Sequence, residues 1–194
     1  MSRALIKTAA AAAIALGALA CGENTSAPPA TPTSSVQPSK TLLSQPKQVT
    51  VLQRKTPLAN PVTASRVIGI LGGIIALPSA GLTIVVPPGA VLSPTTISVT
   101  ALAGSNVAYE FSPHGTHFLL PLIATQNLLI TKTSGFNLLS FFAGYYQSPA
   151  DLGNGTATIT EALSLNIELL NTIAVFDISH FSGYLVATGC DESQ

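Results

Sequence analysis

The sequence predicts an all-β protein, built as a single antiparallel β-sandwich. Three observations lead there. The apolar residues of its second half fall in short runs with a two-residue period, the spacing of half-buried strands. Glycine and proline separate those runs at short, regular intervals. No segment beyond residue 60 carries a long helical period. Many short strands joined by turns bury their apolar faces against each other as a sandwich or barrel.

The chain opens differently. Arg3 and Lys7 precede an uncharged stretch over 9–20 that ends in Gly17-Ala18-Leu19-Ala20. A basic start, a short apolar run and small residues are the layout of a secretory signal peptide, assigned to 1–20. The run is about a dozen residues, whereas a bilayer-spanning helix needs about 20. Cys21-Gly22 follows at once. This resembles the lipobox of bacterial lipoproteins, with Ala18 where leucine is favoured and Leu19 one position later. The resemblance implies that Cys21 takes a lipid modification (diacylglyceryl, with palmitate as acyl chain), becomes the mature N-terminus and anchors the protein to a membrane. The other reading is a secreted protein cut near Ala20. In both the protein is exported, and lipidation places it in the bacterial cell envelope.

Residues 21–60 read as the lipidated N-terminus followed by a disordered linker. Pro28, Pro29, Pro32, Pro38, Pro46 and Pro57 recur among Ser, Thr, Gln and Ala, a composition too poor in apolar area to offset its ordering entropy. Lys40, Lys47, Arg54 and Lys55 stand there against Glu23. They form either a solvated arm or one that grazes an anionic lipid surface. Thr50-Val51-Leu52 is the only strand candidate in this stretch.

The sandwich is assigned to 61–190, with 191–194 as a tail. Between Arg66 and Glu110 no residue is charged. Residues 67–86 would suit a transmembrane helix by length. Gly72-Gly73 and Pro78-Ser79-Ala80-Gly81 break the run, leaving 74–77 and 82–86 with strand length and β-branched content. Ile97, Val99 and Ala101 then alternate with Thr96, Ser98 and Thr100. Ala157 and Ile159 alternate with Thr156, Thr158 and Thr160. Leu163, Leu165, Ile167 and Leu169 alternate with Ser164, Asn166 and Glu168. The intervening turns are Pro87-Pro88-Gly89, Ser93-Pro94, Pro113-His114-Gly115, Ser134-Gly135 and Gly153-Asn154-Gly155. Phe141, Phe142, Tyr145 and Tyr146 read as strand and core. The segments are too few and too short for an outer-membrane barrel.

The totals exclude several classes. The formal net charge is zero, which gives no basic field to hold nucleic acid. Two cysteines build neither a disulfide framework nor a cysteine metal site. With Cys21 lipidated, Cys190 is a leftover thiol; a Cys21–Cys190 disulfide requires that Cys21 carry no lipid. No helix follows the glycines, so they form no nucleotide loop, and no cofactor is implied.

Two stretches resemble the ZU5 domain. One runs from Gly72-Gly73-Ile74 through Leu77-Pro78 and Gly81-Leu82-Thr83-Ile84-Val85-Val86-Pro87-Pro88-Gly89-Ala90. It continues through Thr95-Thr96-Ile97-Ser98-Val99 to Phe111-Ser112-Pro113-His114-Gly115-Thr116-His117-Phe118 and Pro121. The other is Ile178-Ser179-His180-Phe181-Ser182-Gly183-Tyr184. Together they span roughly 66–188. The resemblance implies a β-sandwich, and in an exported chain a structural or protein-interaction module whose partner is another envelope protein.

His180-Phe181-Ser182 is the one candidate reaction centre. Some members of that family cut themselves at such a tripeptide, between Phe and Ser. The resemblance implies that Ser182 Oγ attacks the Phe181 carbonyl carbon while His180 takes the hydroxyl proton. The amide becomes an ester, which water hydrolyses, once per chain. The competing reading is an inert closure of the sandwich, with Phe181 in the core. Histidines at 114 and 117 have a spacing that invites a metal, but lie on a turn with no third ligand in sight. Asp177, His180 and a serine form no hydrolase triad, because no Gly-x-Ser-x-Gly elbow exists. The expected function is therefore display of a binding module without turnover chemistry, with single self-cleavage as the alternative.

Overall fold

The computed structural model describes residues 40–168 and 170–190. The expected signal peptide, Cys21, the linker before Lys40 and the tail lie outside the described residues. Those described form fourteen strands and no helix longer than a single 3-10 turn. The first five strands are β1 (Lys40–Val51), β2 (Gln53–Leu58), β3 (Val62–Ile68), β4 (Gly73–Leu77) and β5 (Leu82–Val86). Next come β6 (Thr95–Ala101), β7 (Gly104–Asn106), β8 (Ala108–Ser112), β9 (His117–Asn127) and β10 (Phe142–Tyr146). The last are β11 (Thr156–Leu163), β12 (Leu165–Glu168), β13 (Ile173–His180) and β14 (Gly183–Cys190).

Two antiparallel sheets pack as a sandwich. One has the order β1-β11-β10-β14-β8-β6-β3, the other β12-β13-β9-β5-β4. The 67–86 stretch is thus strand and hairpin: β4 pairs with β5 from Gly73↔Val86 to Leu77↔Leu82. Alternation does the sorting. Leu82, Ile84 and Val86 are buried while Thr83 and Val85 are half-exposed, and Ile97, Val99 and Ala101 are buried opposite them. Gly72 turns the chain into β4 at φ 72°, where a Cβ would lie 2.1 Å from the Val86 carbonyl oxygen.

The N-terminal strand builds a second core. It pairs with both β11 and β14, and β10 pairs with both of those, so four strands close into a ring. A separate cluster of Val49, Val51, Tyr146, Ile159, Leu185 and Ala187 belongs to this ring. Gly144 leaves room there: a Cβ on it would lie 2.8 Å from Ile159 Cγ2 and 3.1 Å from Leu185 Cδ1.

This corrects the linker boundary. From residue 40 to 58 the chain is strand, not disordered tether, and its pairing reaches well beyond Thr50-Val51-Leu52. The prolines are accommodated where the ladder breaks. Pro46 falls in the register shift between Leu42 and Lys47, and Pro57 in that between Gln53 and Leu58. Few apolar residues suffice: Val49, Val51 and Leu52 are all at most 2% exposed, while Leu42 stays exposed. Arg54 is also corrected. It is 1% exposed and donates to the carbonyl oxygens of Asn106 and Leu102, so it belongs to no solvated or lipid-grazing arm.

Candidate functional site

The tripeptide lies where the chain changes sheets. The strand ending at His180 belongs to the five-stranded sheet, and the one starting at Gly183 to the seven-stranded sheet. Phe181 and Ser182 are the corner between them. Backbone bonds pin it: Phe181 N–H donates to Thr116 O at 2.9 Å, Gly115 N–H to Phe181 O at 3.1 Å, and Phe111 N–H to Ser182 O at 2.9 Å. The Phe181 ring packs against Phe118 at 4.6 Å, edge to face, and Phe111 at 5.3 Å. Gly183 has no alternative, since a Cβ there would lie 2.2 Å from the Tyr146 ring.

Glu161, Tyr184 and Tyr145 all contact His180. Its Nε2 lies 3.3 Å from Glu161 Oε2, with the side chains 12% and 10% exposed. Its Nδ1 faces the Tyr184 hydroxyl at 3.4 Å, and that hydroxyl donates to the His180 carbonyl at 2.7 Å. The Tyr145 ring stands against it at 4.8 Å. Ser182 is buried, with its hydroxyl directed to the Tyr146 carbonyl at 3.5 Å. Base and nucleophile of the expected pair therefore each face a group other than the other.

The phenols show how dry the corner is. Burial pushes the Tyr184 hydroxyl far above the usual tyrosine range, and the nearby Glu161 carboxylate adds to the rise. Tyr146 is raised likewise, first by burial and then by Glu110. Both stay neutral and act as hydrogen-bond donors; Tyr146 donates to Tyr109 O at 3.0 Å.

A cleft of about 620 Å³ opens beside the corner, lined among others by His114, His117, Tyr145, Glu161, His180 and Ser182. All three histidines of the chain thus meet at one cleft. His117 pairs in register with His180, their rings 5.7 Å apart, while His114 lies 3.6 Å from Glu110. Among the described residues no three His, Cys, Asp or Glu side chains are grouped to hold a metal. Asp177 sits elsewhere, paired across the strand from Ile123.

Sequence reasoning missed Glu161 and Gly115 as parts of this corner. Glu161 had a signal: it stands in phase with Ala157, Ile159 and Leu163, an acid in an apolar register. Gly115 had none, because its contact with Phe181 joins residues distant in the chain.

Compared with known proteins, the chain matches no family model, and no curated protein matches it in sequence.

Proposed function

We propose that this chain is a lipid-anchored protein of the bacterial cell envelope that displays its β-sandwich as a structural and protein-interaction module, without turnover chemistry. A ZU5-like identity is part of the same reading; the stretches that carry the resemblance supply β4, β5, β6 and β8 and the junction of β13 with β14. One observation supports the absence of turnover. Among the described residues, the constellation with catalytic residue types is a packed corner, with both His180 ring nitrogens on Glu161 and Tyr184 and the Ser182 hydroxyl on a backbone carbonyl. Those contacts fasten one sheet to the other.

Fractionation tests the anchor. Made in a bacterial host, the full chain goes to the detergent phase with labelled palmitate on it, and Cys21→Ala moves it to the aqueous phase. Equal partitioning of the two overturns the lipoprotein reading.

A second reading has its own support. The Phe181 carbonyl oxygen already accepts the Gly115 N–H at 3.1 Å, where an oxyanion formed by Ser182 attack would need a donor. In that reading Ser182 Oγ adds to the carbonyl carbon and the C–N bond breaks. The amine of Ser182 takes the proton, and water then hydrolyses the ester. The intact mass of the incubated protein decides. A fragment of residues 182–194 that is absent in Ser182→Ala establishes cleavage; a single full-length species excludes it.

A further inference from the structure

We propose that one end of the sandwich inserts its apolar tip into the lipid bilayer. Four exposed aliphatic side chains gather there from three separate segments. Ile70 and Leu71 cap the turn that carries the chain from β3 to β4, Leu92 lies on the loop after β5, and Leu119 stands near the start of β9; they are 57%, 86%, 70% and 66% exposed. Backbone bonds tie the segments together: Gly89 N–H donates to Ile70 O at 2.7 Å and Leu119 N–H to Ala90 O at 3.2 Å. Exposed large apolar groups scattered singly mean little, but a gathered set marks a contact.

Several features select a bilayer over a protein groove. Three of the tip's four side chains, Ile70, Leu71 and Leu92, stand on turns and bends between strands rather than in a groove. The tip's segments carry no Asp, Glu, Lys or Arg, since none occurs between Arg66 and Glu110 or between Glu110 and Lys132, so burying them in hydrocarbon desolvates no such ion. Behind it stands Arg66, exposed, with its guanidinium donating to Ile74 O at 2.9 Å. A cation one step behind an apolar tip sits at the depth of lipid phosphates.

The stretch before the described residues sets how far the tip can lie from an anchor. The stretch from Cys21 to Lys40 spans at most about 70 Å even when fully extended. An anchor at Cys21 keeps the body, tip included, within reach of the membrane; this clause rests on the lipoprotein reading, while the tip's own chemistry does not.

The chain has no tryptophan, so Leu71→Trp places a single reporter on the tip and Leu129→Trp a control beyond the other end of β9, where Leu129 is 62% exposed. Both are placed in the full chain, with Cys21 intact and with Cys21→Ala. The vesicles are phosphatidylethanolamine and phosphatidylglycerol brominated along the acyl chain. The tip indole is expected to shift to the blue and be quenched in both backgrounds, and the control indole in neither. Adding Leu92→Asp and Leu119→Asp to the Leu71→Trp chain is expected to weaken its signal by about tenfold or more, the loss of two buried leucines. A tip indole as unquenched as the control in both backgrounds overturns the proposal, even if Cys21 is lipidated. So does a blue shift that grows with protein concentration without vesicles, which would assign the tip to a second copy. Quenching that persists in Cys21→Ala supports the tip whether or not the cysteine carries lipid in the cell.

Discussion

The Arg54 guanidinium carbon lies 5.5 Å over the centroid of the Tyr109 ring, and both side chains are at most 1% exposed. Tyr109 in turn donates to Ala80 O at 3.0 Å and to Gln126 Oε1. Burial pushes its phenol up to about 12, with Arg54 and Gln126 pulling the other way. A cation from the N-terminal strands is thus locked onto a residue of β8, and through it onto the opposite sheet.

That arrangement makes Arg54 structural. Arg54→Met removes the donors to Asn106 O and Leu102 O and leaves those carbonyls without them. The expected loss is about 2–3 kcal/mol, the range for hydrogen bonds to a charged group. Lys55→Ala, one position on and exposed, stays within about 0.5 kcal/mol. Urea midpoints of the two variants check the contrast.

The corrected boundary predicts truncation behaviour. A chain beginning at residue 61 lacks β1 and β2, so the ring of β1, β11, β10 and β14 loses one wall and Leu185 and Ile159 lose Val49 and Val51. It is expected to show no cooperative unfolding transition. A chain beginning at residue 40 is expected to unfold cooperatively, at a midpoint near that of the full chain. Thermal melts by circular dichroism separate the outcomes.

Strands 82–86 and 156–160 were legible in the sequence, the first as a short β-branched run and the second by apolar residues alternating with threonine, each bracketed by turns. The first two strands were not, since proline, glutamine and lysine dilute their few apolar residues. Their order comes from pairing to residues more than 100 positions away, for example Val49↔Ala157 and Thr50↔Gly189. Tertiary pairing overrode composition. The site followed the same rule. Its tripeptide was readable as a motif, but Glu161 and Tyr146 reach it only through the sheet.

Gly183 should tolerate no side chain. A methyl group at 2.2 Å from the Tyr146 ring forces the ring or the corner to move. Gly183→Ala is expected to cost about 3 kcal/mol, the upper end of overpacking. Gly89→Ala meets nothing nearer than 4.0 Å, and its φ of 82° alone costs about 1–2 kcal/mol. The double variant Gly183→Ala with Tyr146→Leu should recover part of the first loss, because the obstructing ring is gone. Melting temperatures of these variants and the parent test this, and a double variant no better than Gly183→Ala would place the strain elsewhere.

Asp177 predicts a pH dependence of definite sign. Burial against its neighbours raises its carboxyl above the ordinary 3.8. Folding therefore disfavours the ionised form, and the folded state holds the proton to higher pH than the unfolded chain does. Stability contributed by this group falls as pH rises through that window and stays reduced at neutral pH. Asp177→Asn removes the charge and keeps the shape. It is expected to be more stable than the parent at pH 7, by less than about 1 kcal/mol because the group is partly solvated. The advantage should shrink as pH is lowered below the ordinary 3.8, where the parent's carboxyl becomes protonated in both states. Melts of the pair at neutral pH and at about pH 3.5, just under the unperturbed carboxyl range, measure it. An equal difference at both pH values would show that packing, not charge, separates the two proteins.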